Sequence, residues 1–275
     1  MSELIKVNPL SLGTVFKKGF SDVAIFTQMV KDFTGVNLKI TEVENEKAFV
    51  EPIANIATKF DLFAQDKENR VIVEAQHVNY SDNFDRFYYY HQIATVETIV
   101  SSKNDRFPQT VYTLIFFTDR NSPAEGKNIL VHDAQMKYIV DGEVIKGVFS
   151  RIHRLFFIFT KSPDSDTEIS EECREWIKAI HETLTGSIKK TDYRIKEIKR
   201  LFERIATDKT TPEERARMKD EYNQEEAKRE AKEEGIKEGE EKMKQAARKL
   251  KANGKLTEEE IADMTGLTVE TVKAL

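Results

Sequence analysis

The chain has 275 residues, of which 39% are hydrophobic and 33% are charged, as in a soluble protein with one sizeable core and a charged appendage. Its single cysteine excludes an intrachain disulfide, and its five histidines are too scattered for a zinc motif. The longest apolar runs are too short to cross a membrane, and the first residues lack the apolar stretch of a signal peptide. We therefore expect a cytoplasmic protein with no membrane partner.

The formal net charge of −5 does not indicate a nucleic-acid-binding protein, because affinity for DNA depends largely on Lys and Arg side chains that neutralise phosphates. A local cluster of basic residues is the feature that would indicate such binding, and the distribution of charge therefore matters more than its sum.

The first third of the chain predicts a helix followed by three strands. Residues 22–33 have helical apolar spacing and are followed by Gly35, a typical helix terminator. Residues 38–50 alternate in character as a half-buried strand does. Two further strands are predicted around residues 59–61 and 71–76.

The last two of these strands each carry an acidic residue, Asp61 on the first and Glu74 on the second. Polar residues 65–69 supply a turn, so the two carboxylates converge if the strands form a hairpin. Gln76 shares the face of Glu74, because side chains alternate along a strand. Carboxylate oxygens suit Mg²⁺ held against a phosphate, which is the chemistry of phosphodiester hydrolysis. The alternative is a pair of ordinary acids on a solvated sheet face.

The next predicted element is a helix over residues 81–102, capped by Ser81 or Asp82. Arg86 and Tyr90 stand four residues apart and therefore share one face of it. This helix would lie behind the two acids. The aromatic side chains around Tyr90 are equally well explained as half-buried packing with solvated hydroxyl groups.

Further strands follow, and with the covering helices they predict an α/β protein with a mixed sheet flanked by helices. Residues 110–117 form an apolar core strand, and residues 129–160 contain additional strands. Asp141-Gly142 stands between residues 138–140 and 144–145, which predicts a hairpin with a type I′ turn.

After Pro163 the pattern becomes helical. Ser170 is placed to cap a helix that contains Trp176. The segment 189–201 predicts an amphipathic helix with a basic face that contacts a DNA backbone. The alternative is a solvated face on a packed helix. The candidate DNA-contacting residues are Lys189, Lys190, Arg194, Lys196 and Arg200.

From residue 211 the chain is highly charged and predicts a helical tail that extends to residue 254. A thin heptad seam formed by Ile236, Met243 and Leu250 predicts pairing of two chains, although a solvated helix explains the same pattern. Residues 255–275 resemble a short helix-turn-helix cap. Few of its side chains suit DNA contacts, so we expect it to contact protein.

Five segments, taken in order, resemble one known family: residues 60–63, 73–76, 86–90, 155–161 and 234–239. They are similar to segments of the Rpn family, the recombination-promoting nucleases and nuclease-type transposases of the PD-(D/E)XK superfamily. The resemblance covers nearly the whole chain, and the order of the segments is more specific than any one of them.

The resemblance implies a restriction-endonuclease-like core over residues 1–162, a helical extension over 163–210, a charged helical tail or coiled coil over 211–254 and a cap over 255–275. It also implies a DNA endonuclease that depends on Mg²⁺, with Mn²⁺ as a substitute. The implied metal ligands are Asp61, Glu74 and the backbone carbonyl of Ala75. Gln76 takes the position of the superfamily's lysine and would orient the attacking water, without supplying positive charge.

Supporting roles are expected for Lys59, Arg86 and Tyr90. Lys59 faces the same way as Asp61 on its strand, and we hypothesise that it replaces part of the missing lysine charge. It is otherwise a solvated cation at a strand end. Two other functions remain open: a DNA-binding or assembly module with a weak metal site, and a DNA strand-transfer enzyme. A double-strand break needs two sites, so we expect a homodimer or higher oligomer through the C-terminal helices.

Overall fold

The computed structural model describes residues 4–48, 59–77, 84–101 and 106–275. The predicted helix caps Ser81 and Asp82 and the predicted end of a strand at Val50 lie outside these residues. The chain divides into two compact units, residues 1–218 and 219–275.

The first unit contains a six-stranded mixed sheet and a separate two-stranded sheet. The strand order of the larger sheet is β2-β3-β4-β5-β7-β6, and β1 pairs with β8. The β4/β5 and β5/β7 pairs are parallel, whereas the other pairs are antiparallel. The strands are Leu4–Lys6 (β1), Glu44–Ala48 (β2), Lys59–Gln65 (β3), Asn69–Gln76 (β4), Thr110–Phe117 (β5), Ile129–Asp133 (β6), Arg154–Phe159 (β7) and Ser187–Lys189 (β8).

Helices cover both faces of the larger sheet. Short 3₁₀ segments follow α3 and α4 and flank α5. The α-helices are Gly13–Phe20 (α1), Val23–Thr34 (α2), Asp85–Glu97 (α3), Glu171–Glu182 (α4), Lys196–Arg204 (α5), Pro212–Asn253 (α6), Glu258–Thr265 (α7) and Val269–Ala274 (α8). Among these elements, α1 and β1 lie in segments for which the sequence predicted no structure.

The alternation of side chains across the sheet separates two hydrophobic layers. Leu114 of β5 belongs to the main core, together with Trp176 of α4 and Ile198 of α5. Ile115, the next residue, instead packs in a cluster with Phe87 of α3. The α/β architecture is therefore as expected, and segment 163–210 contributes its helices to the same core as the sheet.

Local sequence signals place several of the helix ends. The Asp22 carboxylate accepts hydrogen bonds from the backbone N–H groups of Ala24 (3.1 Å) and Ile25 (3.3 Å) at the start of α2. Gly35 ends the same helix with φ 76°, a left-handed conformation that costs glycine little. Ser170 caps α4 through the N–H of Cys173 (3.2 Å). The predictions for both helices are confirmed.

Two predicted elements differ from the structure. Within the predicted strand 38–50, β2 occupies only Glu44–Ala48 of the described residues. The continuous basic helix predicted over 189–201 is wrong, because α5 begins at Lys196 and β8 pairs with β1. A tertiary strand partner at the N-terminus of the chain decides this local conformation.

The hairpin predicted around Asp141-Gly142 forms, but its turn is not type I′. The N–H of Tyr138 donates to the carbonyl of Glu143 (2.8 Å), which closes a loop of four residues. Gly142 has φ 76°, whereas Asp141 does not have the positive φ that a type I′ turn requires at both central residues.

The second unit contains most of α6 together with α7 and α8. Thr257 and Glu260 form a capping box at the start of α7. Ala247, Ile261 and Val272 form a small core, against which Leu250 packs. The other two seam residues are exposed, Ile236 by 53% and Met243 by 42%. Across the described ranges of the chain, we find no helix with the length and apolar character needed to span a membrane.

Candidate active site at the hairpin of β3 and β4

The two acid-bearing strands form an antiparallel hairpin. Their pairing runs from Gln65 opposite Arg70 to Leu62 opposite Val73. The Asp66 side chain organises the turn, because it accepts hydrogen bonds from the backbone N–H groups of Glu68 (2.9 Å) and Asn69 (2.8 Å).

Beyond the pair of Leu62 with Val73, hydrogen bonds to the acidic side chains replace the backbone ladder. The backbone N–H of Asp61 donates to Oε1 of Glu74 (3.1 Å), and the N–H of Ala75 donates to Oδ2 of Asp61 (3.1 Å). Each carboxylate therefore bonds to the strand that carries the other. The two acids lie side by side at the open end of the hairpin.

The backbone around Asp61 is irregular on its other side as well. β2 pairs with β3 at Asn45 opposite Leu62 and at Lys47 opposite Phe60, with no pair for Glu46 between them. Glu46 has φ 56°, the only positive value for a non-glycine residue in the described part of the chain. Such backbone conformations are concentrated at functional sites.

The alternation of faces also breaks at Asp61. Phe60 and Phe63 are three residues apart and should lie on opposite faces of a regular strand. Both nevertheless pack in one cluster with Ala94 of α3. The distortion thus lies between these phenylalanines and coincides with the acid.

The Glu74 carboxyl is buried beside a second acid. Glu74 is only 4% exposed to solvent. Burial, followed by the nearby charge of Asp61, raises the pKa of Glu74 well above its ordinary range, while the charge of Arg86 acts in the opposite direction. Two carboxyl groups this close have either one proton or a cation between them, because like charges in a buried site repel strongly.

Arg86 and Tyr90, the predicted supporting residues on α3, lie next to each other. The Arg86 guanidinium lies over the Tyr90 ring at 5.3 Å from its centroid, as their four-residue spacing predicts. The Tyr90 ring in turn meets Phe60 edge-on at 5.9 Å. Phe60 precedes Asp61, so this aromatic contact supports the strand at the site.

Lys59 has a partner that the sequence did not reveal. Its ammonium group lies 2.7 Å from the carboxylate of Glu46, which also binds Lys17 of α1 at 2.7 Å. Hydrogen bonds from the two lysines lower the pKa of Glu46 to about 2. No local signal identifies Glu46, because a positive φ at a glutamate depends on its tertiary surroundings.

Gln76 folds back on its own strand. Its Nε2 donates to the carbonyl of Ala75 (3.0 Å), the oxygen that the resemblance assigns to a metal. The next residue, His77, bonds through Nδ1 to the hydroxyl of Thr118 on the neighbouring chain segment (2.8 Å). His77 was not predicted as a site residue. It is a polar group one residue beyond the predicted motif.

The donor set at the hairpin fits a hard divalent cation. It consists of two adjacent carboxylates and the Ala75 carbonyl, all of them oxygen ligands of the kind that Mg²⁺ prefers. A cation would also neutralise the repulsion between Asp61 and Glu74. In the described ranges, no group of three or more His, Cys, Asp or Glu side chains is arranged to hold a metal, so the site depends on this two-acid set.

The five predicted DNA-contacting cations do not form one face. Lys189 lies on β8, Lys190 on a 3₁₀ segment, and Lys196 and Arg200 on α5. Four of the five have acidic partners: Lys190 with Glu203, Arg194 with Glu171, Lys196 with Glu197, and Arg200 with Asp22.

Comparison of the chain with protein-family models, with curated proteins and with solved structures finds no match.

Proposed function

We propose that the protein is a Mg²⁺-dependent DNA endonuclease with a restriction-endonuclease-like fold, of the kind that serves recombination or transposition. The supporting observation is the exchange of carboxylate hydrogen bonds between Asp61 and Glu74 at the open end of the hairpin. A carboxyl group is rarely buried beside a second acid unless the pair holds a proton or a cation.

Asp61, Glu74 and the Ala75 carbonyl would hold the metal. When bound, Mg²⁺ stabilises negative charge on the scissile phosphate and makes a water molecule more acidic. Glu74 has a raised pKa and must lose its proton before it can serve as a ligand. We therefore expect the affinity for Mg²⁺ to increase with pH.

The remaining residues position the reactants in an overall hydrolysis. Water adds to phosphorus, the bond from phosphorus to the leaving oxygen breaks, and the proton lost by water ends on solvent or on the leaving oxygen. Gln76 would release the Ala75 carbonyl and orient the water through its amide, which supplies no charge. Arg86, whose charge acts on Glu74, supplies positive charge near the reacting phosphate.

Cleavage of supercoiled plasmid, with Mg²⁺, with Mn²⁺ and in EDTA, tests the proposal. The wild type should nick or cut in either metal ion, whereas Asp61→Ala and Glu74→Ala should be inactive. Glu44→Gln is the matched control, since Glu44 is a carboxylate on the neighbouring strand whose ion pair is with Lys47. Absence of cleavage by the wild type in both metals would overturn the proposal.

A second function, a DNA-binding or assembly module of this fold, is favoured by one observation. The Glu74 carboxyl is buried and already has the Asp61 N–H as a hydrogen-bond donor, so a neutral Glu74 can be purely structural. Calorimetric titration of Mg²⁺ and Mn²⁺ into the wild type and Asp61→Ala separates the two functions. Equal and negligible heats in both proteins would favour the module.

The partners and the location belong to the same proposal. DNA is the proposed substrate, and a homodimer or higher oligomer through the C-terminal helices would place two sites on one duplex. The single cysteine, Cys173, is buried and free, as suits the reducing cytoplasm that we propose as the protein's location.

A further inference from the structure

A second cluster of charged side chains lies in the first unit and includes Arg200, one of the five cations that the sequence predicted to contact DNA. It lines a pocket with a volume of about 370 Å³ formed by α1, α5 and the 3₁₀ segment Thr207–Lys209. The lining residues are Lys18, Arg200, Glu203, Arg204 and Lys209. Four of these five carry positive charge.

Neutral backbone groups hold two of the cations in place. Arg204 donates from Nε (3.2 Å) and Nη2 (3.1 Å) to the carbonyl of Lys18. The Lys18 ammonium donates to the carbonyl of Lys209 (2.7 Å). These carbonyl bonds add to the ion pairs of Lys18 with Glu214 and of Arg204 with Asp22, so both cations are fixed before any ligand arrives.

The acidic groups around the pocket do not balance its cations. Asp22 lies 2.5 Å from Arg200 and 3.6 Å from Arg204, Glu214 lies 2.6 Å from Lys18, and Glu203 pairs with Lys190. Lys209 has no carboxylate partner within ion-pair distance among the residues that the structure describes. Together with Arg204, the set comprises five cations and three carboxylates, which leaves two positive charges for an anion.

The titration of the neighbouring acids agrees with a positive local field. Burial alone would raise the pKa of Asp22, but hydrogen bonds from Arg200 and the backbone, with the charges of Arg200 and Arg204, lower it overall. The hydrogen bond from Lys190 lowers the pKa of Glu203, to which Lys209 and Arg200 add their charges. A field that favours ionised carboxylates also favours a bound anion.

The pocket also connects to the proposed active site through α1. Lys18 lines the pocket, and Lys17 beside it binds Glu46, which in turn binds Lys59. Lys59 lies two residues before Asp61 on β3. The ion pairs of Glu46 therefore join α1, which carries Lys18, to β3, which carries Asp61.

We propose that this pocket binds a phosphate group, supplied by the backbone of the DNA that the hairpin site cleaves. The planar guanidinium group of Arg200 has donors that match phosphate oxygens, and Lys209 adds a second positive charge at the pocket. The identity of the ligand as DNA rests on the proposed function, whereas the preference for phosphate rests on the pocket itself.

Fluorescence anisotropy of a labelled duplex in EDTA tests the pocket without cleavage. Lys209→Gln and Arg200→Gln should each weaken binding by about three- to tenfold at low salt, and each should reduce the salt slope of log K by about one. Lys31→Gln is the matched control, because Lys31 is an exposed lysine on α2 of the same unit and does not line the pocket. Its affinity should equal that of the wild type.

Calorimetric titration of inorganic phosphate distinguishes the source of the ligand. Weak binding by the wild type that Lys209→Gln abolishes, with weaker duplex binding by the same variant, supports the proposal. Phosphate binding that depends on Lys209, with duplex affinity unchanged, would assign the pocket to a small phosphorylated ligand and overturn the DNA assignment. The pocket would be rejected as a phosphate site if Lys209→Gln bound both phosphate and duplex with unchanged affinity. It would also be rejected if the wild type bound neither ligand.

The two proposals fail in different ways. If the wild type binds duplex through the pocket but cuts nothing in any metal, the endonuclease proposal fails and the pocket stands. If the wild type cuts DNA and the pocket variants bind duplex normally, only the pocket is rejected. Lys209→Gln is the mildest variant, since Lys18 bonds to the backbone carbonyl of Lys209 and not to its side chain.

Discussion

Replacement of Glu74 by glutamine should make the protein more stable above pH 5 and inactive as a nuclease. Burial raises the pKa of Glu74 above its ordinary value of 4.5, so the native protein retains a proton that the unfolded chain releases. The native state binds more protons in that interval, and stability therefore falls as pH rises from 4.5 through the native pKa. Glutamine does not ionise, so the Glu74→Gln protein does not lose stability in this way as pH rises.

The size of the effect follows from the linkage of one proton. The free energy of unfolding of the wild type should fall relative to Glu74→Gln with a limiting slope of about 1.4 kcal/mol per pH unit. The difference should stop growing once native Glu74 is ionised. An amide also fits the site, because its oxygen accepts from the Asp61 N–H and its nitrogen donates to the Asp61 carboxylate.

The buried Trp176 is the only tryptophan, and its fluorescence reports unfolding of the first unit in urea. Curves for wild type, Glu74→Gln and Glu44→Gln from pH 4.5 to 8 give the comparison. Glu44→Gln should differ from wild type by a small constant amount, since an exposed ion pair contributes little. Mg²⁺ should stabilise the wild type at high pH and leave Glu74→Gln unchanged.

A Glu74→Gln protein that is less stable than wild type by the same amount at every pH would refute this reasoning. The carboxylate would then be a structural hydrogen-bond acceptor that is ionised in both states. Retained plasmid cleavage by Glu74→Gln would separately refute its role as a metal ligand.

Three further changes test other parts of the structure. Lys59→Met should lower the cleavage rate by roughly tenfold, which is less than is usual for an electrostatic group because Glu46 neutralises part of the charge of Lys59. Lys59→Arg should restore activity, and an unchanged rate in Lys59→Met would remove Lys59 from the mechanism. Trp176→Phe removes the indole hydrogen bond to Asp32 (2.8 Å) and should cost about 1–3 kcal/mol in urea unfolding followed by circular dichroism, and equal stability would show that solvent replaces that bond. Gly19→Ala places a Cβ 2.6 Å from Cδ1 of the buried Leu201 and should lower the free energy of unfolding by about 1–3 kcal/mol. The loss should be smaller in a protein that also carries Leu201→Ala, and strictly additive effects of the two changes would contradict the clash.

Much of the fold can be read from local patterns. The strand Thr110–Phe117 matches its prediction, and all eight of its residues are buried in the centre of the sheet. The helix predicted over residues 22–33 and the cap predicted at Ser170 are also found where the sequence places them. Each of these signals depends on a few neighbouring residues, whose hydrogen bonds or apolar spacing act within one element.

The sequence predictions are wrong where contacts between distant segments determine the local conformation. Lys189 was predicted in a helix but pairs with Leu4, which is far away in sequence. The type I′ turn was predicted from Asp141-Gly142 alone, yet the pairing of Tyr138 with Glu143 requires a longer loop. Neither partner can be found from a local window, because propensity is weak beside tertiary pairing.

The sequence by itself determined that Asp61 and Glu74 stand on two strands joined by a polar turn, since strand periodicity and turn residues are local properties. Only the tertiary structure decided that each acid bonds to the other's strand and that Glu46 breaks the neighbouring ladder beside them. The same holds for the pocket that brings Lys18 to Lys209. These contacts join segments that are adjacent only after the sheet and helices have packed, and burial then sets the protonation of Glu74.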